Sequence, residues 1–322
     1  MLNPHELALF NYAEALLPVV SQEFETMLAN RSATDDYSWM PAVCRYNDDN
    51  NYNLTVVDHG AMGATPRRQE LRSLPLAQFP DAATASVHQE FYGEQAVISA
   101  DYMYYADGRL MLTTGLQRHI QMFAESALKR ERLEVLNLYA NAFTIANGYQ
   151  TWEAKALCDV NHHNVHDPAG FTFTNYDTQA LDVGALQTVD ASGRYFVGVD
   201  GLGKYLTYDT LMIGPKNVTV AQQLLRSIND PATAASNAVN TLAGRYRLVV
   251  CPDFQEAIIT GSSNWWFLLD SSQHTMNLTY GKRPRIRLVT AENGRDLAYQ
   301  MEFDLTAYWY GPYGHYGSIG TT

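Results

Sequence analysis

From Leu110 to Ala142 the chain runs without a proline, and its only glycine there, Gly115, stands near the start. Leu116, Ile120, Phe123, Ala127, Val135, Leu138 and Ala142 recur mostly three or four positions apart. That spacing places side chains on one face of an α-helix. About 30 residues rising 1.5 Å each make a rod of roughly 45 Å, longer than most helices of globular domains. The rest of the fold must therefore supply a surface long enough to cover one face of such a rod. Glu125, Lys129, Arg130, Glu131, Arg132 and Glu134 fall at helical pairing distances and predict a solvated outer face.

The segments around this rod differ in kind. At the start, Asn3 can cap a helix, Pro4 suits its first position and Glu6 completes a capping box. Leu7, Phe10, Ala13, Leu16 and Leu17 form an apolar stripe, and Pro18 predicts a break or kink before a second helical piece from Val19 to Ala29. A polar stretch with no period follows, ending in Asp48, Asp49, Asn50 and Asn51, and reads as an extended arm. Leu54 and Val56 begin a strand, and Ser86 to Ile98 reads as its returning partner with Val87, Phe91, Val97 and Ile98 apolar. Between them lie Gly60, Gly63, Pro66, Pro75 and Pro80, interleaved with Arg67, Arg68, Glu70 and Arg72. Two strands around a long polar excursion predict a protruding hairpin. Beyond Gly148 the pattern predicts helices over about 178–189 and 218–228. Strands are predicted at 211–213, 246–251, 265–269 and 297–310, the last alternating around Tyr299, Met301, Phe303 and Leu305.

With 322 residues, the chain has room for about two compact units. Its 34 acidic and 22 basic residues leave a net charge of −12 with no long basic run, which excludes the electrostatic footprint of a DNA-gripping module. Twenty-one tyrosines suit partly wet interfaces or a tyrosine-rich β-surface. Cys44, Cys158 and Cys251 are odd in number and far apart, which fits a reducing compartment. The first residues do not resemble a signal peptide, and no run of 18 apolar residues predicts a membrane span.

One cluster could carry chemistry. Cys158, His162, His163 and His166 are zinc-type ligands close in sequence, and the reading they allow is a metal-dependent hydrolase. Their spacing matches no standard zinc signature, and a solvated or structural loop explains them equally. Asp35-Asp36 and Asp48-Asp49 read as solvated acids, and Gly198 to Lys204 as a hairpin turn, because the lysine lacks the Ser or Thr of a phosphate loop. Trp265 and Trp266 in one strand should face opposite sides.

The order of elements (arm, long hairpin, long helix, α+β region, inserted subdomain, final antiparallel run) resembles the Hong Kong 97-type capsid fold of tailed phages, an α+β class. Local sequence is similar to the major head subunit of Mu-like phages. The matching points are Asn141-Ala142-Phe143-Thr144 before the Cys158 loop, Leu211 to Pro215, Asn264 to Leu269, Arg283-Pro284-Arg285 and Tyr310 to Gly314. The resemblance implies an N-terminal arm over 1–52 and an E-loop over 53–98. It implies a peripheral domain over 99–204 with a spine helix at 109–143, an axial domain over 205–271, and peripheral strands over 272–322. It further implies a capsid protein, not an enzyme, that self-assembles into hexamers and pentamers of an icosahedral shell in the virion. Such a protein is made in the host bacterial cytoplasm, and it encloses double-stranded DNA as cargo without sequence-specific contact. Scaffold, portal and decoration proteins are candidate further partners, and neither a cofactor nor a membrane is implied. Arg67, Arg68, Glu70 and Arg72 would serve assembly. The E-loop holds no lysine, so the covalent crosslink of some family members is not expected. No long scaffolding segment is recognisable at the N-terminus, which implies a separate scaffold or none. Another phage structural protein, of the tail or decoration type, is the third reading.

Overall fold

The computed structural model describes residues 4–30, 36–58, 83–98, 108–145, 151, 153–164, 167–194, 205–227, 239–290 and 296–321. In chain order, helix α1 (Pro4–Ala29) is followed by the single turn α2 (Met40–Val43) and strands β1 (Arg45–Asp48), β2 (Asn53–Asp58), β3 (Ala83–His88) and β4 (Glu90–Ile98). The long helix α3 (Gly108–Ala140) comes next, then β5 (His162–Asn164), β6 (Asp167–Phe173), β7 (Tyr176–Asp177), helix α4 (Val183–Arg194), β8 (Thr210–Ile213) and helix α5 (Val218–Arg226). Strands β9 (Arg247–Val250), β10 (Trp266–Leu269), β11 (Asn277–Thr290), β12 (Leu297–Tyr308) and β13 (His315–Ser318) complete the chain.

Two sheets carry the body. The first has the order β1-β11-β12-β4, with β1 parallel to β11 and the other pairs antiparallel. The second has the order β7-β13-β10-β8-β9. Helix α3, 33 residues long and so about 50 Å, spans both. Near its middle Ser126 donates to Glu94 of β4 at 2.6 Å. At its end the Tyr139 ring meets Phe267 of β10 at 5.1 Å, and its hydroxyl donates to the Val43 carbonyl at 2.8 Å. This double duty accounts for the length of the rod.

The apolar alternation of β12 reports its packing: Tyr299, Met301, Phe303 and Leu305 are all buried in the main core beside Ile120, Phe123 and Ala127 of α3. Strands β8 and β10 are apolar at nearly every position because both faces of the second sheet are covered. Trp265, Phe267 and Met212 join the core under α3. Trp266, Leu268, Leu211 and Ile213 join a second core under α4 and α5, so the two tryptophans do face opposite sides. Burying a side chain of this size contributes about 1.5–3 kcal/mol.

Several expectations need correction. Helix α1 runs through Pro18 without ending; Pro18 and its neighbours Glu14 and Ala15 are exposed, so a carbonyl that loses its amide partner there can be hydrated. The polar stretch after it is not wholly extended. Trp39, Met40 and Val43 are buried in the main core, and β1 is an edge strand of the first sheet. The returning strand over 86–98 is two strands broken at Gln89, and its Phe91 and Val97 are exposed. The charged face of α3 is not uniformly solvated, since Glu131 and Glu134 are buried. Helix α4 starts later than the apolar pattern indicated because Asp182 caps it, accepting from the Ala185 amide at 2.7 Å.

Candidate functional site

The Cys-His cluster resolves into a structural knot. His162 is fully buried, and both ring nitrogens are engaged: Nδ1 with a Glu153 carboxylate oxygen, and Nε2 with the Leu157 carbonyl at 3.1 Å. The other Glu153 oxygen accepts from the His163 amide at 2.9 Å. The Cys158 thiol lies in the main core, where an added methyl on Gly317 would come within 2.8 Å of its sulfur. Burial first, and the Asp159 carboxylate next, push its pKa far above the usual thiol range, so it is a poor ligand and a poor nucleophile. His166 lies outside the described residues. Among the described residues no group of three or more His, Cys, Asp or Glu could hold a metal ion. The geometry gives the hydrolase reading no support.

The hairpin has a well-defined root. Strands β2 and β3 pair antiparallel from Asn53↔His88 to Asp58↔Ala83. Arg67, Arg68, Glu70 and Arg72 fall beyond them, outside the described residues. At the root the buried Gln89 sends its amide side chain over Gly281 of β11, where a methyl group would stand 1.5 Å from the Gln89 Oε1. Its backbone N–H donates to the Tyr52 carbonyl at 3.1 Å and its side-chain N–H to the Asp49 carbonyl. The register of β11 against β12 shifts at this point, between Tyr280 and Lys282, which makes room for the wedge. The Gln89 side chain thus helps fix the hairpin root to the first sheet, beside the Asp49 amide, which donates to the Tyr280 carbonyl of β11 at 2.9 Å.

Beside the root lies an exposed aromatic stack. The Tyr52 ring stacks on Phe91 at 5.6 Å and 7°, and on His88 at 5.8 Å, with the Lys282 ammonium 6.0 Å from the Phe91 centroid. Tyr52 is 55% and Phe91 65% exposed, unusual for two stacked aromatic rings. This stack edges the face of the first sheet that points away from α3. That face is a polar ladder: Gln300 bridges Gln95 and Arg287, Glu302 pairs with Arg285 and Arg287, and Asp304 pairs with Lys282. On the opposite face Arg130 of α3 sits 4.1 Å over the Tyr92 ring and pairs with Glu134. Burial raises the Glu134 pKa against the opposing pull of Arg130. The sequence reading named Phe91 only as an apolar residue of the returning strand, and nothing in it singled out Tyr52, His88, Gln89 or Gly281. The polar His88-Gln89-Glu90 interruption in an otherwise strand-like run was the available signal.

No protein-family model matches the chain, and no curated protein matches it in sequence. Solved structures do. The capsid of the native GTA particle aligns over 87% of this chain and 89% of its own at 9% identity, with a TM-score of 0.50. The capsid of the empty GTA particle aligns over 88% and 89% at 9% identity, TM-score 0.49. A virus-like particle from Pyrococcus furiosus aligns over 94% and 98% at 8% identity, TM-score 0.45. The chain has the α+β fold of capsid proteins of the Hong Kong 97 type. The narrower likeness to Mu-like head subunits gains no support from a matching family model or curated relative.

Proposed function

We propose that this chain is the major capsid subunit of a tailed-phage head, acting by self-association and not by catalysis. The observation that carries the reading is the match of 87% of this chain to the fold of a capsid chain. Function in such a protein is geometry. Head-to-tail contacts between identical copies close into rings of six or five, and a hairpin reaching a neighbour adds a second attachment, so many modest contacts hold the shell. The segment 53–98 is the E-loop in this reading, 109–143 the spine helix, 205–271 the axial region, and 99–204 with 272–322 the peripheral region. The N-terminal 1–52 and the E-loop, with Arg67, Arg68, Glu70 and Arg72, drive assembly. DNA is cargo, because a chain of charge −12 cannot grip it by counterion release. Portal and decoration proteins are candidate further partners, with a separate scaffold or none, and the virion is its location.

Deleting residues 60–80 tests this. The body rests on two sheets to which that segment contributes no described strand, so the deleted chain should keep its circular dichroism and thermal transition while forming no closed shells. Normal particles from the deleted chain would refute the role given to the hairpin.

A further inference from the structure

Where the two sheets meet, a cleft of about 600 Å³ opens between the start of β1, the starts of β8 and β9, and the turn after β10. Six of its lining residues matter: Arg45, Asp209, Thr210, Arg247, Ser271 and His274. The carboxylates here are already satisfied. Asp209 accepts from the Thr210 hydroxyl at 2.8 Å, the Ser271 amide at 3.3 Å and the Ser271 hydroxyl. Asp270, in the same turn, accepts from the Thr207 and Ser272 amides, each at 3.0 Å, from the Ser272 hydroxyl, and from the Gln273 side-chain amide at 3.3 Å. The cations are not satisfied. Arg45 has one described hydrogen bond, to the Ser271 carbonyl at 3.2 Å, and Arg247 makes no side-chain hydrogen bond or ion pair among the described residues. His274 is 4% exposed, and its Nδ1 is a buried nitrogen with no partner.

Two guanidinium groups beside unengaged imidazole nitrogen, with the nearby acids committed elsewhere, form the donor set of an oxyanion site. We propose that this cleft binds a small oxyanion, a phosphate or a carboxylate group, held by Arg45 and Arg247. The bound anion ties β1, which is the edge of the first sheet, to β9, which is the edge of the second. The inference is independent of shell formation. Charged or titratable groups facing His274 are Arg45 from β1, Asp209 ahead of β8, Asp270 from the turn, Arg247 at β9 and His315 from β13. Burial and then Arg45 lower the His274 pKa to about 4. A bound anion favours the protonated imidazole, so binding of acetate, which stays ionised across the window, should tighten as pH falls from 7.5 to 5.5.

The test is calorimetric titration of the full chain with inorganic phosphate and, separately, acetate. Saturable binding is expected, about tenfold or more weaker in Arg45→Gln and in Arg247→Gln, as for loss of a charge-assisted hydrogen bond. Arg226→Gln, on the exposed face of α5, should bind as the parent does. Arg247 is exposed, so its replacement leaves the fold intact, which circular dichroism checks. Preference for phosphate identifies a phosphate ligand; equal or better binding of acetate identifies a carboxylate. No saturable binding of either anion, or affinity unchanged in both arginine variants, overturns the proposal.

Discussion

Arg132–Asp253 ties the long helix to the loop that follows β9, the edge strand of the second sheet. The Arg132 Nε donates to Asp253 Oδ2 at 2.6 Å and its Nη2 to Oδ1 at 2.7 Å, a two-pronged geometry that only arginine supplies. The Asp253 side chain is 8% exposed and that of Arg132 22%. An exposed pair would contribute about 0–1 kcal/mol, whereas removing one partner of a buried pair costs about 3–5 kcal/mol because the other charge is left stranded. With a fifth of Arg132 still in water, the lower end applies: about 3 kcal/mol for Asp253→Ala. Arg132→Ala should cost a similar amount, and it also loses the contact over the Tyr37 ring at 5.8 Å. The double variant isolates the pair, since each single change strands the opposite charge and the double change strands neither. A coupling of about 2 kcal/mol is expected. Urea unfolding of the unassembled chain, followed by the fluorescence of buried Trp265 and Trp266, reads all four corners of the cycle. A coupling below about 0.5 kcal/mol, with each single variant costing under about 1 kcal/mol, would refute the claim that this charge on α3 is an anchor and not a solvated group.

Two further outcomes follow from the geometry. Gly281→Ala should expel the Gln89 side chain and cost only about 1–2 kcal/mol for the lost buried hydrogen bond; particle yield, read by sedimentation, should fall far more than stability does, and a normal yield would contradict the locked root. The buried imidazoles make stability acid-sensitive: burial, then Arg45, lowers the His274 pKa from 6.5 to about 4, and burial with His274 and Arg45 lowers that of His315. The unfolded chain takes up these protons below pH 6.5 and the folded chain does not, so stability is full above pH 6.5 and is lost as pH falls toward 4, by about 3 kcal/mol for His274 alone. Urea midpoints of the unassembled chain across that window should fall less steeply for His274→Gln than for the parent, and identical slopes would count against it.

How far the sequence could be read depended on whether local pattern and tertiary environment agree. Helix α3, β12 and β10 were legible because one buried face, or two, imposes a period or an unbroken apolar run on the residues themselves. Strand β1 was not, because Arg45-Tyr46-Asn47-Asp48 is at most half-buried and owes its conformation to its pairing with Asn277 to Tyr280 of β11, more than 200 positions away. Pro18 carried a strong local signal that packing overrode, with Val20 and Phe24 buried just beyond it. Glu131 and Glu134 looked like surface charges because helical spacing says which residues share a face, not how much neighbouring structure covers it. The zinc-like residues shared a loop, but Glu153, the side chain that engages His162, stands nine positions earlier in no recognisable motif. The hairpin was visible as two strands around a polar excursion. Its lock was not, since the fit of Gln89 over Gly281 exists only once β11 is folded.

The central claim is that copies of this chain tile a closed, curved shell. Cryo-electron microscopy of the purified, full-length chain expressed alone tests it most directly. The account predicts rings of six and five subunits closed into shells, with the 53–98 hairpin of each subunit lying on a neighbour. A population of solitary monomers at micromolar concentration, each with that hairpin against its own body, would contradict it.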